Sequence, residues 1–310
     1  MGESTRRPDV MGWAAMATTV ALWVVFALTT RAIAFSHLTR LDVALIRYGV
    51  PLVVLAPWAR RAVREARLAP AWSLLAIVVG GGLPFYLLSA RGAALSSATY
   101  LGVINPGMPP VFVAIIAALV WRQRFSPQAI AGYGVILAGV VILVESAPAH
   151  IGGGAAGFLL LAALCWAWFT IGLQRAALHA VSAALVLCAP SAIVASALIL
   201  TGVGSSALTV APWGEIAMFA VLQGVGSGIV SSLAYTLAIG RLGSERAATV
   251  GASSPVLVAL VAVPVFGETV TLPGSIGIAL VVTGILLANR RRAPLPTPAS
   301  TPALAVAQDA

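Results

Sequence analysis

Arg47 is an ionisable side chain that falls well inside an apolar segment of the sequence, residues 41–58. Charged side chains inside a membrane are costly and usually functional. The guanidinium could contact the carboxylate of a small molecule, or it could pair with Asp42 or with another helix. The alternative is that this helix begins later and that the long side chain reaches back to the interface.

The acidic side chains follow a different pattern. Asp42, Glu145, Glu215 and Glu268 all fall at predicted helix ends, so none lies securely at the middle of a membrane. Ion coupling in membrane proteins often uses a buried carboxylate. The sequence therefore offers no obvious group for coupling to protons or to sodium.

Metal and cofactor chemistry lacks the residues it needs. His37, His150 and His179 lie in or near loops and do not have the spacing of metal ligands. Cys165 and Cys188 lie within apolar segments, which is unlike a disulfide scaffold or a metal site. We expect no metal and no cofactor, and the sequence shows no convergent acid, base and nucleophile for a membrane enzyme.

Aromatic and small polar side chains are the better candidates for a binding site. An aromatic ring can stack on an aromatic ligand or receive an ammonium group through a cation–π contact. Ordinary helix packing is the simpler interpretation of any single one. Together with Arg47, the predicted binding residues are Trp23, Tyr86, Tyr100, Asn105, Trp166, Trp168, Ser231, Tyr235, Ser253 and Ser254.

Prolines inside two apolar segments predict breaks in the helices. Pro106 removes a backbone donor and Gly107 loosens the turn, which frees carbonyl groups for a ligand or for water. Pro110 follows closely, and Pro255 lies in a related site after four small residues, Gly251-Ala252-Ser253-Ser254. These four positions predict hinges or cavity lining, with a tolerated kink as the alternative.

The elements that carry these residues are membrane-spanning helices. Of 310 residues, 60% are hydrophobic and 9% charged, whereas a soluble domain has about 25% charged residues. About 20 apolar residues cross a bilayer as a helix, and continuous apolar runs without alternation exclude barrel strands. The predicted spans are residues 11–34, 41–58, 71–90, 97–121, 128–145, 156–174, 181–202, 214–238, 245–267 and 273–289.

The positive charge is distributed as expected for a membrane protein. The net charge is +9 without a single lysine. The arginines cluster between apolar runs, which favours the positive-inside bias over binding of nucleic acid. We therefore predict that both termini are cytoplasmic, because that orientation leaves only Arg31, Arg40 and Arg91 on the opposite side.

An internal repeat organises the ten spans. Residues 109–144 align without a gap on residues 254–289. The matched pairs include Pro110 with Pro255, Gly132 with Gly277 and Gly139 with Gly284. Chance similarity among helices rich in alanine, valine and leucine is the alternative.

The charges of the loops argue against chance. The stretch Arg122-Gln123-Arg124 in the first copy corresponds to Gly267-Glu268-Thr269 in the second. Each copy has five spans, so the second must enter the membrane upside down and its loops should lose their arginines. The fold class is therefore all-α and membrane-embedded, with ten helices in two inverted five-helix repeats.

With these motifs, the sequence resembles the drug/metabolite transporter superfamily, in its EamA-type ten-helix branch. The resemblance rests on Ala234-Tyr235-Thr236-Leu237-Ala238, Pro255-Val256-Leu257-Val258-Ala259, Phe266-Gly267-Glu268-Thr269-Val270-Thr271, Gly277 and Gly284. The first copy departs from the family in having Gln123 where glutamate is usual. The resemblance implies a central cavity between two antiparallel halves, rocking helix pairs and export of metabolites from a bacterial inner membrane.

The predicted organisation follows from the repeat and its flanks. It consists of a cytoplasmic N-terminus (1–10), a first repeat (11–145), a linker (146–155), a second repeat (156–289) and a disordered cytoplasmic tail (290–310). We predict a monomer or homodimer whose partners are the lipid bilayer and a small-molecule substrate, without nucleic acid.

The sequence favours an alternating-access transporter over a channel or an enzyme. A channel would more naturally repeat a charged or carbonyl ring in an oligomer. Neutral amino acids lead as substrates, aromatic or bulky ones slightly favoured, moved by a facilitator or weakly coupled carrier. A sugar-phosphate or nucleotide-sugar exchanger, which should need several buried cations, and a drug efflux carrier are the alternatives.

Overall fold

The computed structural model describes residues 9–147 and 153–289, with the side chains of Ser244 and Glu245 excepted. Within these ranges the chain forms helices and no strands. Nine helices are long and apolar enough to cross a membrane, and a bent pair makes the number ten. Most of the predicted cytoplasmic N-terminus, His150, part of the predicted linker and the predicted disordered tail lie outside the described residues.

The first half contains spans one to five. Its helices are α1 (Val10–Ala32), α2 (Arg40–Val54), α3 (Ala59–Leu68), α4 (Ala71–Gly81), α5 (Leu83–Leu95), α6 (Ala98–Gly107), α7 (Pro109–Trp121) and α8 (Pro127–Glu145). The third span consists of α4 and α5, and the fourth consists of α6 and α7. The fifth span is α8 alone.

The second half contains spans six to ten. Its helices are α9 (Gly153–Ala176), α10 (Ala180–Leu200), α11 (Trp213–Phe219), a π-helical stretch (Ala220–Val230), α12 (Ser231–Leu242), α13 (Ser244–Gly251), α14 (Ser254–Phe266) and α15 (Leu272–Asn289). The eighth span runs from α11 to α12, and the ninth consists of α13 and α14. The predicted all-helical fold is therefore confirmed, and the observed spans follow the predicted ones closely.

The helix breaks lie at glycine and proline. The chain turns between α4 and α5 at Gly82, where a Cβ atom would approach the carbonyl oxygen of Val78. In the fourth span, α6 ends at Gly107 and α7 begins at Pro109, as the sequence predicted. The corresponding break in the ninth span separates Gly251 from Ser254. The proposed hinge role of Pro106, Gly107, Pro110 and Pro255 stays a prediction.

The last two spans of each half repeat the same backbone. Helices α14 and α15 begin 145 residues after α7 and α8, and the end of α14 is shifted by the same number. Both α7 and α14 end at a residue in the left-handed conformation, Arg122 with φ 51° and Gly267 with φ 65°. The repeat seen in the sequence is thus a repeat of local structure.

Helices α8 and α15 cross through reciprocal glycine contacts. A Cβ atom on Gly139 would lie 2.7 Å from the carbonyl oxygen of Gly277, and one on Gly277 would lie 2.7 Å from that of Gly139. Gly132 and Gly284 approach each other in the same way. Because Gly132 is the repeat equivalent of Gly277, and Gly139 that of Gly284, the crossing relates the two halves as inverted copies. Small residues allow such close approach of membrane helices.

The two ends of the bundle differ in charge. The loops after α3, α7, α9 and α12 lie on one side, which we call the arginine-rich face because it carries Arg60, Arg122, Arg124, Arg175 and Arg241. The C-terminal ends of α1, α5, α8, α10 and α14 lie on the other side, the opposite face. Helix α3 turns away from α2 by 62° at the arginine-rich face.

Glu65 on α3 ties this helix to the second half. Its carboxylate accepts hydrogen bonds from Arg61 Nε at 2.6 Å and from the backbone N–H of His179 at 3.0 Å, where α10 begins. These hydrogen bonds, that from Arg61 first, hold the pKa of Glu65 at about 2. The carboxylate is therefore charged at neutral pH and links α3 to α10.

Candidate functional site

Arg47 lies within the bundle on α2, two helical turns from Arg40 at the start of that helix. Its Nη1 donates a hydrogen bond to Gln223 Oε1 at 2.7 Å. The centre of its guanidinium lies 4.6 Å from the centroid of the Phe26 ring. Arg47 Nε is buried and has no hydrogen-bond partner among the described residues. The side chain of Arg47 as a whole is half-buried, and the Nε edge of its guanidinium remains unused.

Gln223 holds Arg47 from the eighth span. It is fully buried in the π-helical stretch. Its Nε2 donates to the hydroxyl oxygens of Thr29 at 2.7 Å and Thr30 at 3.2 Å, both on α1. The π-helical geometry is frequent at functional sites. Three spans, the first, second and eighth, thus meet at one guanidinium.

Two tyrosines flank the guanidinium and differ in their hydrogen bonds. The rings of Tyr48 and Tyr86 lie 5.9 Å and 5.6 Å from the centre of the Arg47 guanidinium. Tyr48 donates its hydroxyl hydrogen to the carbonyl oxygen of Gly81 at 3.0 Å. The Tyr86 hydroxyl, equally buried, has no partner in the described parts of the chain. Tyr48 thus has a structural bond, and Tyr86 has a free polar group beside Arg47.

Asn105, on α6, adds an amide that contacts α5. Its Nδ2 donates to Ser89 Oγ at 3.0 Å. Ser89 lies three residues after Tyr86, which places both on one face of α5. Asn105 Oδ1 is buried without a hydrogen-bond partner among the described residues. Together, Arg47, Tyr86 and Asn105 present unpaired donor and acceptor groups inside the membrane part; we call these three residues the Arg47 site.

A wall of aromatic rings continues from the Arg47 site. Phe26, which covers Arg47, stacks on Phe85 with ring centroids 6.2 Å apart. Phe85 contacts Trp166 at 4.9 Å, and Trp166 contacts Phe169 at 4.8 Å. The predicted residue Trp166 is therefore connected to Arg47 through two intervening rings.

Trp23 and Tyr235 form a separate aromatic pair. Their ring centroids lie 5.3 Å apart, between α1 and α12. Trp23 also lies against the break of the ninth span, because a Cβ atom on Gly251 would approach its ring to 3.1 Å. The structure brings these two predicted residues together, next to the break of the ninth span.

The remaining predicted residues are scattered. Tyr100 donates its hydroxyl hydrogen to the carbonyl oxygen of Leu143 at 2.7 Å, and Ser253 donates to that of Val250 at 2.7 Å. Ser231 and Ser254 are buried on α12 and α14. Trp168 is 50% exposed on the outside of the bundle. The structure does not bring these five residues to Arg47.

No carboxylate balances the Arg47 guanidinium among the described residues. Asp42, considered from the sequence as its partner, instead caps α2: it accepts from the Thr39 backbone N–H and hydroxyl and from the backbone N–H of Ala207. Glu215 pairs with His37 at the opposite face. The Arg47 site therefore has an unbalanced positive charge.

Glu268 lies in a different place, a polar cavity of about 250 Å³ at the opposite face. Its carboxylate accepts from the backbone N–H groups of Ala98 and Thr99 and from the Thr99 hydroxyl, at 2.6, 3.1 and 2.7 Å. Arg31 lines the same cavity and donates to the carbonyl oxygens of Ala93 and Ala94. The two charges thus complete the backbone hydrogen bonding on either side of the break between α5 and α6.

The sequence analysis did not select Gln223, Phe26, Thr29 or Tyr48, which surround Arg47. Gln223 carried a usable signal, because it is a lone amide in an apolar run. The other three carried none, since threonine and aromatic residues are common on any face of a membrane helix.

The fold and the site together define a multi-pass membrane protein with two inverted helical repeats, which is an architecture typical of small-molecule carriers, and with a half-buried cationic group among its helices. The chain belongs to the EamA-like transporter family, whose model matches residues 10–145 and 154–290. The predicted membership of the drug/metabolite transporter superfamily is therefore confirmed, and the protein is a membrane transporter of small molecules.

Two further comparisons concern individual proteins. No curated protein matches the chain. A solved crystal structure, described only as that of a protein, is similar with 20% sequence identity and a TM-score of 0.58, over 89% of this chain and 96% of the other. At that identity the likeness supports the fold alone.

Proposed function

We propose that the protein exports small metabolites by alternating access, and that its substrates are neutral amino acids, aromatic ones favoured. The observation that carries the proposal is the unbalanced Arg47 guanidinium inside the membrane part. Its Nη1 is held by Gln223, while its Nε has no partner in the described chain. A fixed guanidinium with a free edge can bind a carboxylate through two parallel hydrogen bonds.

The other unpaired groups suit the amino end of such a substrate. Asn105 Oδ1 is a buried acceptor, and the Tyr86 hydroxyl oxygen is another. Leaving such groups unpaired costs free energy, so a bound ammonium group that donates to them would remove that cost. The carboxylate would then lie at Arg47 and the ammonium group towards Asn105.

The aromatic wall supports the preference for an aromatic side chain. Phe26 lies over the guanidinium and contacts Phe85, and Phe85 in turn contacts Trp166. Aromatic rings pair favourably with one another in offset or tilted arrangements. A substrate anchored at Arg47 could therefore place its own ring along this wall.

Alternating access and facilitated transport follow from the arrangement of charge and helix breaks. Two inverted repeats can rock about a central site, with the breaks in the fourth and ninth spans as hinges. No described carboxylate lies at the Arg47 site, so proton or sodium coupling lacks an evident group.

The asymmetry of the arginines supports cytoplasmic termini and a bacterial inner membrane. A monomer or a homodimer would suffice, because the Arg47 site is contained in one chain.

Counterflow of labelled amino acids in proteoliposomes, with and without a pH gradient, tests the proposal. We expect saturable counterflow of neutral amino acids without the gradient. Replacement Arg47→Gln should reduce it by about 100-fold or more, since a buried charged hydrogen-bond pair is worth roughly 3 kcal/mol. Arg124→Gln, on the arginine-rich face, is the matched control and should transport normally.

Three results would contradict parts of this proposal. A strict requirement for the pH gradient would exclude facilitated transport. Equal transport by Arg47→Gln and the wild type would remove Arg47 from the site. Counterflow of phosphorylated sugars or of cationic drugs, with no amino-acid flux, would replace amino acids by those substrates.

A further inference from the structure

A second cavity opens at the opposite face, between α2 and α10 on one side and α5 and α9 on the other. Its volume is about 740 Å³, within the range of ligand pockets. Arg40 begins α2 and Arg91 lies in the last turns of α5, so its mouth is at the ends of the helices. Pro84 lines it two helical turns deeper, roughly 10 Å below Arg91. The cavity therefore extends from the membrane surface into the hydrocarbon region.

The lining divides into a charged mouth and an apolar interior. Arg40 and Arg91 are exposed, and neither has an ion pair or a side-chain hydrogen bond within the described residues. The apolar part includes Leu87, Leu88 and Leu198. Arg31, the other arginine of this face, is already bonded to two backbone carbonyl groups. The two unpaired arginines at this face thus converge on one apolar cavity.

We propose that this cavity binds an anionic phospholipid. The phosphate group would lie at Arg40 and Arg91, because guanidinium groups bind phosphate oxygens in pairs. An acyl chain would lie along the three leucines. Basic pockets between membrane helices are suited to anionic headgroups. The lining residues include two arginines and no acidic residue, and the nearby Asp42 carboxylate is already bonded to Thr39 and Ala207, so a headgroup with a net negative charge is favoured.

The lipid site is separate from the Arg47 site. None of its lining residues belongs to α1 or to the π-helical stretch, which hold Phe26 and Gln223 against Arg47. The residues of α5 that line the cavity are Pro84, Leu87, Leu88 and Arg91. Tyr86 is not among them and faces Arg47. The lipid site is therefore independent of the proposed substrate and can be tested without transport.

Native mass spectrometry of the purified full-length protein can measure the retained lipid. The protein is taken from nanodiscs that contain equal amounts of phosphatidylglycerol and phosphatidylcholine. We expect the wild type to retain phosphatidylglycerol preferentially. In the double variant Arg40→Gln/Arg91→Gln, the ratio of the two bound lipids should fall roughly tenfold, since each arginine near a lipid surface contributes an appreciable attraction.

The matched control is Arg122→Gln/Arg124→Gln, which removes two exposed arginines from the other face and should keep the preference. Because the readout is a ratio within one sample, partial loss of folded protein does not change it. An unchanged ratio in the Arg40/Arg91 double variant would overturn the proposal, as would a wild type without preference. If excess glycerol phosphate displaced the lipid, the cavity would be a site for soluble anions instead. If the lipid stayed bound, the result would support a phospholipid site.

Discussion

The two halves of the molecule share the backbone of their last two spans and differ in charge. Helices α7 and α8 recur as α14 and α15 with the same spacing and the same left-handed turn, Arg122 in one and Gly267 in the other. The second span of the first half, however, contains Arg47, whereas α10, the second span of the other half, contains no charged residue. Gln123 likewise replaces the carboxylate of Glu268.

This difference separates two requirements. A carrier that rocks between two orientations needs two frameworks of similar shape, and close helix packing supplies them. Its substrate needs a single site with a particular charge, and that site does not have to be symmetric. The backbone of the repeats thus serves the movement, while the unequal side chains determine what is bound.

The largest expected effect tests the shared framework. Gly139→Ala and Gly277→Ala should each destabilise the protein by roughly 1–3 kcal/mol, because either Cβ atom would lie 2.7 Å from a backbone carbonyl oxygen. Thermal unfolding in detergent measures the change. Gly134→Ala on the same helix is the control, since a Cβ atom there meets nothing within 4 Å. If the control destabilised the protein to a similar extent, the close glycine crossing would not be what links the two halves.

A smaller effect should follow from replacing Glu268, the carboxylate for which the first half has Gln123. Glu268→Gln weakens the charge-assisted bonds to Ala98 and Thr99 at the start of α6. Glutamine keeps one acceptor oxygen, so only part of the roughly 1.5–3 kcal/mol of such bonds is lost. Hydrogen exchange of these amides should therefore accelerate by a few-fold, up to about tenfold. Exchange mass spectrometry can detect this. Glu145→Gln removes an exposed carboxylate from the same face and should leave exchange unchanged; equal rates in both variants would contradict the capping role.

The tyrosines beside Arg47 allow a matched comparison within the first half. Tyr48→Phe loses the bond to the Gly81 carbonyl and should cost about 1 kcal/mol of stability. Tyr86→Phe loses no described bond, so its unfolding temperature should stay near the wild-type value while its amino-acid counterflow decreases. Thermal unfolding and counterflow on the same preparations separate the two roles. Normal counterflow by Tyr86→Phe would exclude its hydroxyl from the Arg47 site.

The smallest effect concerns the contact of Glu65 with the second half. Hydrogen bonding lowers the pKa of Glu65 from 4.5 to about 2. A carboxylate whose pKa is lower in the folded state than in the unfolded state stabilises the protein at pH values above the unfolded-state pKa. This stabilisation is lost as the pH falls towards the folded-state pKa. The unfolding temperature of the wild type should therefore exceed that of Glu65→Gln at pH 7, and the difference should shrink below about pH 4.5. A difference independent of pH would mean that the charge contributes nothing.

The spans and the repeat could be predicted because they depend on local properties. Continuous apolar length determines which segments cross a membrane, and the odd number of spans per repeat determines the inversion. The break after Pro106 and Gly107 was also predictable, since proline removes a backbone donor and glycine loosens the turn. These features need no knowledge of which helices are neighbours.

The site was only partly predictable because its members depend on the direction of each side chain. Trp166 and Trp168 are two residues apart on one helix, so they point to opposite sides. The structure packs Trp166 against Phe85 and leaves Trp168 half exposed. When a helix is apolar all round, its sequence does not indicate which of these two tryptophans points to the interior.

The sequence by itself determined the membrane class, the inverted repeat and the unusual charge at position 47, because hydropathy and charge act locally along each helix. Only the tertiary structure decided what that charge touches. Gln223 reaches Arg47 across 176 positions of the chain, and the pairing of the second and eighth spans arises from packing between the halves. The contacts that define the Arg47 site therefore exist only once the two repeats have come together.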